Sequence, residues 1–137
     1  MLERFLRAGN LKGATRYVAR LGGLFETRCH LAVSPDLMAG DLRPVADEII
    51  ALGRRFGLRA AAVQPIFCLE PAERPLLRLL AALDGNCPVA DVAAADLPDG
   101  GDTTSPVDWP APEAFAARFA GQPDLLATAG DLADACG

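Results

Sequence analysis

Residues 24–67 constrain the fold more than any other stretch of the chain. They read LFETRCHLAV, SPDLMAG, DLRPVADEIIALGRRFG and LRAAAVQPIF: a β-rich run, a turn, an amphipathic helical pattern and a second β-rich run. Two strands joined through a helix form a βαβ unit, in which the strands run parallel and the helix covers one face of the sheet. Within the helical pattern Leu42, Val45, Ala46, Ile49, Ile50, Leu52 and Phe56 form one stripe, with Arg43, Asp47, Arg54 and Arg55 opposite. Asp41 is placed to cap this helix and Gly57 to close it.

The two strands differ in character. The first, Leu24 to Val33, sets Phe25, Thr27, Cys29, Leu31 and Val33 on one face and Glu26, Arg28, His30 and Ala32 on the other. A strand sandwiched between helix layers reads apolar on both faces. The polar face is therefore expected to meet solvent, a polar interior or a ligand. The second strand, Leu58 to Phe67, centres on Ala60, Ala61 and Ala62, small side chains that permit close approach of a helix or ligand. Gln64-Pro65 ends its regular pairing, because proline brings no N–H to the ladder.

Around this unit the pattern is helical. Residues 2–8 read as a short helix stopped by Gly9, and Asn10 is placed to cap a second helix that Gly22-Gly23 ends. Residues 71–83 read as a helix with Pro75 in its first turn, followed by a turn at Asp84-Gly85-Asn86. The alanine-rich run 89–97 fits a strand or a helix. Leu97 to Pro112 carries Gly100-Gly101 and four prolines and reads as a linker or long loop, and two short helices are expected over 112–120 and 123–136. The expected organisation is an α/β segment over 1–97, a Gly/Pro-rich linker over 98–111 and a helical tail over 112–137.

A hydrophobic fraction of 51% is enough for a core, and the net charge of −5 disfavours nucleic acid, which needs a concentrated Lys/Arg face. The N-terminal sequence lacks the pattern of a secretory signal, and no apolar run approaches the roughly 20 residues of a membrane span. A soluble cytoplasmic protein with free thiols is expected, because Cys29, Cys68, Cys87 and Cys136 are widely scattered. Asp99, Asp102 and Asp108 lack the spacing of a calcium loop and read as solvated, while Trp109 is placed to pin its loop to the body or to a partner. There is no phosphate loop, dinucleotide fingerprint or Ser-His-Asp set. His30, the one histidine, could serve as a cofactor contact, a metal ligand or a general base, and the residues alone favour a hydrogen-bonded strand histidine over these.

Residues 10 to about 70 carry a further pattern: a helix ending in Leu21-Gly22, a strand closing in Val33-Ser34-Pro35-Asp36-Leu37, the helix 41–56, and a strand closing in Gln64-Pro65-Ile66 before Cys68-Leu69-Glu70-Pro71. This order resembles the C-terminal part of a radical S-adenosylmethionine (SAM) activating enzyme, of the anaerobic ribonucleotide reductase or pyruvate formate-lyase activase type. The resemblance implies a partial (β/α) barrel segment with parallel strands, an oxidoreductase setting, and S-adenosylmethionine and a 4Fe-4S cluster as the family's cofactors. It implies cofactor-binding positions at Arg28, His30 and Gln64, although His30 stands where the family usually has arginine. The Cys-x3-Cys-x2-Cys cluster motif is absent, so this chain is expected to bind neither cofactor alone, to hold no metal and to carry no catalytic residue. Its expected partners are a missing N-terminal half or partner protein and a glycyl-radical enzyme as target. The alternative is a non-catalytic α/β interaction module that docks on a partner protein through exposed strand edges.

Overall fold

The computed structural model describes residues 1–98, 100–101 and 107–136, apart from the side chain of Thr27; Asp99 and Asp102 lie outside the described residues. The protein is mixed α/β, predominantly helical, with helices α1 (Leu2–Arg7), α2 (Leu11–Phe25), α3 (Arg43–Phe56), α4 (Arg74–Asp84), α5 (Pro112–Arg118) and α6 (Pro123–Cys136) and strands β1 (His30–Val33) and β2 (Arg59–Ala62). Its residues group into two compact units: 1–63 together with 116–137, and 64–115.

The first unit contains the βαβ element. β1 and β2 pair in parallel, with His30 opposite Arg59 and Val33 opposite Ala62, as a helical crossover requires. α3 packs on both strands and buries Ala46, Ile49, Leu52 and Gly53. Gly57 closes it in the left-handed conformation at φ 68°, its N–H bonded to the carbonyls of Arg54 and Gly53. Asp41 does not cap it. That residue lies in a 3-10 turn, Gly40–Leu42, and α3 starts at Arg43 with no side-chain cap. At α2 the expected cap is present: the Asn10 side chain accepts from the Gly13 N–H at 2.8 Å. α1 packs on α2 and α3, with Phe5 and Tyr17 rings 6.1 Å apart. α6 packs against β2, and the largest fully buried side chains are Phe119, Leu37, Ile49, Leu125, Val18 and Val33.

Two boundaries correct the sequence reading. α2 does not end at Gly22-Gly23; it runs to Phe25 and is closed by Glu26, which takes φ 51° and donates its N–H to the Gly22 carbonyl. Neither glycine adopts a positive φ, so they act as helix interior. Leu24 and Phe25 are therefore helical, Glu26–Arg28 form a 3-10 turn, and the first strand holds only His30–Val33. The alternation over 24–33 is strand-like, but the helix is propagated from the Asn10 cap and overrides it. The second strand is likewise four residues, ending before Gln64-Pro65.

The second unit has α4 as its longest element, entered through a 3-10 turn at Pro71–Glu73, with Pro75 in its first turn as expected. Residues 89–97 form neither strand nor helix but two 3-10 turns, Val89–Asp91 and Ala94–Asp96. Cys68 and Asp108 form a parallel bridge, and Cys68, Leu77 and Val107 make a small buried cluster. No helix of the described residues is long and apolar enough to cross a membrane.

Candidate functional site

In a parallel ladder, alternate residues of a strand turn both backbone groups toward the same neighbour. The Val33 carbonyl accepts from the Val63 N–H at 3.0 Å, which orients Val33 and Leu31 toward β2. His30 and Ala32 then present their backbone groups to the outer edge of β1, beyond which no strand lies among the described residues. His30 is half-buried at the start of this edge and Ala32 is exposed, while Leu31 and Val33 point into the core.

The expected polar face of Glu26, Arg28 and His30 does not exist as a strand face. Glu26 and Arg28 are exposed on the 3-10 turn, where the two-residue alternation of a strand does not apply, and only His30 belongs to β1. Gln64 belongs to the second unit, so neither unit by itself gathers Arg28, His30 and Gln64 into a cradle.

Gln64 sits in a polar cluster that the sequence did not reveal. Its Nε2 donates to the Asp108 carbonyl at 2.7 Å, and the Asp108 carboxylate pairs with Arg74 at 3.3 Å in a largely buried setting. The backbone N–H groups of Phe67 and Cys68 donate to the Val107 carbonyl. Asp108 is therefore not solvated as expected: it is a tie point between the chain after β2 and the start of α4. Trp109 beside it is 67% exposed. Nothing local in the Gly/Pro-rich segment signals this, because the partners lie 34 and 44 residues away.

A cleft of about 310 Å³ lies between the end of α3, the start of β2 and α6, and was also unread in the sequence. Its rim carries Arg54 and Asp124, 3.8 Å apart, and Arg59, which reaches Asp131 on α6 at 2.6 Å. Its floor includes Leu58, Leu125 and buried Thr128, whose hydroxyl donates to the Asp124 carbonyl. The cleft opens at the amino end of β2, whereas ligand crevices in parallel α/β proteins lie beyond the carboxyl ends of the strands. Its charges are already paired across it, so it reads as the seam where α6 meets the sheet.

The cysteines are divided two and two between the units. Cys29 and Cys136 belong to the first unit and Cys68 and Cys87 to the second, and no three His, Cys, Asp or Glu side chains are grouped to hold a metal among the described residues. These residues do not fit a four-iron cluster, which takes three thiolates from the protein and leaves one iron open. Comparison with protein-family models, with curated proteins and with solved structures finds no match to this chain. What fold and site define is thus a mixed α/β protein in which no described strand pairs with the outer edge of β1.

Proposed function

We propose that this chain is a wall segment of a radical S-adenosylmethionine activase-type partial (β/α) barrel, not catalytic alone, whose sheet is continued by a strand from an N-terminal half or partner. The observation that carries this reading is the outer edge of β1. Parallel sheets are ordinarily larger and covered on both faces, and an isolated pair is marginal. Here α6 packs on β2, and among the described residues no strand pairs with the outer edge of β1. In this reading Arg28, His30 and Gln64 are the chain's own cofactor-facing positions in the assembled enzyme. The cluster comes from the other half, and a glycyl-radical enzyme is the target.

The test is to read the frame upstream of this chain for Cys-x3-Cys-x2-Cys, co-express that segment, and follow amide exchange at His30 and Ala32. Co-purification with slowed exchange at these two amides is the expected result. Absence of the motif, or amides already protected in the chain by itself, overturns the reading.

A second reading, a non-catalytic α/β module that docks on a partner protein, is favoured by one observation in the second unit. Leu76, Leu79, Leu80 and Leu83 stand exposed on α4.

A further inference from the structure

Helix α4 turns its apolar side outward. Leu77 and Ala82 are buried, whereas Leu76, Leu79, Leu80 and Leu83 are between 44% and 69% exposed. Their spacing of i, i+3, i+4 and i+7 is that of one helix face. Single exposed leucines are ordinary, but a contiguous row of four marks an interaction surface.

The charge of the unit that carries this row narrows the occupant. Residues 64–115 contain two arginines against nine Asp or Glu, a formal −7, whereas the rest of the chain carries eleven basic against nine acidic residues, a formal +2. The net charge of −5 therefore hides a strong segregation. Both arginines are turned to the body of the unit. Arg74 pairs with Asp108, and Arg78 donates to the carbonyls of Val89 and Val92. Glu70 and Glu73 lie at the start of α4 and Asp84 at its end. An anionic membrane or a nucleic acid is repelled by such a field. A second copy of the chain would bring two acidic segments face to face.

We propose that the exposed leucine face of α4 docks an amphipathic helix of a partner protein whose own apolar row is flanked by Lys or Arg. This inference rests on the second reading above and specifies the partner's chemistry. The helix of 11 residues spans about 16 Å, long enough to present its four leucines to a row of i, i+3, i+4 and i+7 anchors on the partner. Exposed Trp109 follows Asp108, which is paired to the first residue of α4, and Leu69 bonds through its N–H to Glu73 just before it. These ties hold two further exposed apolar residues in the chain next to the amino end of the helix, and tryptophan is a residue on which binding energy commonly concentrates.

The experiment is a titration of the full chain, read by fluorescence of its single tryptophan, with two synthetic helical peptides. Both carry the same leucine row, one flanked by lysines and the other by glutamates. Saturable binding of the lysine peptide, at least tenfold tighter than the glutamate peptide, weakened by salt and lost in Leu80→Gln, is the expected result. Leu80 is largely exposed, so that variant is expected to keep the fold, which circular dichroism verifies. Equal binding of the two peptides overturns the basic partner and leaves the docking module standing. Binding of neither peptide overturns both. Self-association of the chain that Leu80→Gln abolishes assigns the face to a second copy, and adsorption to phosphatidylserine vesicles assigns it to a membrane; either result overturns the proposal.

Discussion

At the scale of single residues, Gly53 and Gly130 occupy helix interiors for opposite reasons. Alanine is better than glycine inside a helix by roughly 0.5–1 kcal/mol. A Cβ at Gly130 in α6 meets nothing within 4 Å, so Gly130→Ala is expected to add about that much stability and to raise the urea midpoint in proportion. A Cβ at Gly53 would stand 2.8 Å from the Leu58 carbonyl oxygen and 3.3 Å from Leu31 Cδ1. The carbonyl is backbone, and Leu58 is held in place by its own N–H bond to the Gly53 carbonyl at 2.9 Å. Gly53→Ala is therefore expected to lose about 1–3 kcal/mol by overpacking. A stabilised Gly53→Ala in the same melts would refute the close approach of α3 to the chain entering β2. Such residues show how far the sequence could be read: Asn10 and Gly57 act through neighbours three or four positions away, and both were legible. The φ of 51° at Glu26 was not, because glutamate carries no local preference for that conformation and the two preceding glycines offered a more conventional stop.

At the scale of elements, the parallel βαβ connection and α3 were legible because a stripe of period 3.6 flanked by period-two runs has few other solutions. The strand lengths were not, since the alternating run 24–33 is divided among the last two residues of α2, a 3-10 turn and β1, and alternation alone marks none of these boundaries. Nor was the return of the tail. Residues 123–136 announce a helix, but nothing in them says that it packs on β2. Burial, more than the ion pairs across the seam, is expected to hold α6 there. Arg59–Asp131 is short at 2.6 Å yet more than half exposed on both sides, and such pairs contribute roughly 0–1 kcal/mol. Leu125 is 2% exposed, and its truncation to alanine is expected to cost about 2–5 kcal/mol. Leu125→Ala should thus lower the denaturation midpoint several times more than Arg59→Ala, and only the latter effect should shrink in high salt. Equal losses would mean that the charged seam, not the apolar floor, fastens the helix.

At the scale of the whole molecule, the two units differ in how they are held. The large buried side chains belong to the first unit, whereas the described buried hydrophobics of the second are Cys68, Leu77, Ala82, Val92 and Val107. A unit of that size buries a smaller share of its surface than a larger one and is correspondingly marginal. Polar ties add to these among the described residues: Gln64 and Arg74 on Asp108, and Arg78 on two carbonyls. Each such bond nets only about 0.5–1.5 kcal/mol, somewhat more where charged, and the leucine row of α4, about half exposed, contributes less than a buried row would. The second unit is therefore expected to open before the first. Cys68 reports the event, because its thiol is buried against Val107 in the folded unit, whereas Cys136 is exposed throughout and serves as the labelling control. In a urea series, iodoacetamide modification of Cys68, counted by mass spectrometry, should rise at a lower concentration than the loss of far-ultraviolet helicity, to which α1, α2, α3 and α6 contribute most. Two non-coincident transitions are the signature of separately cooperative units. A single shared midpoint would mean instead that the polar ties around Asp108 are coupled to the main core. If the lysine-flanked peptide does cover α4, it should move the Cys68 transition to higher urea and leave the helicity midpoint of the first unit where it was, since a ligand stabilises only the state that binds it.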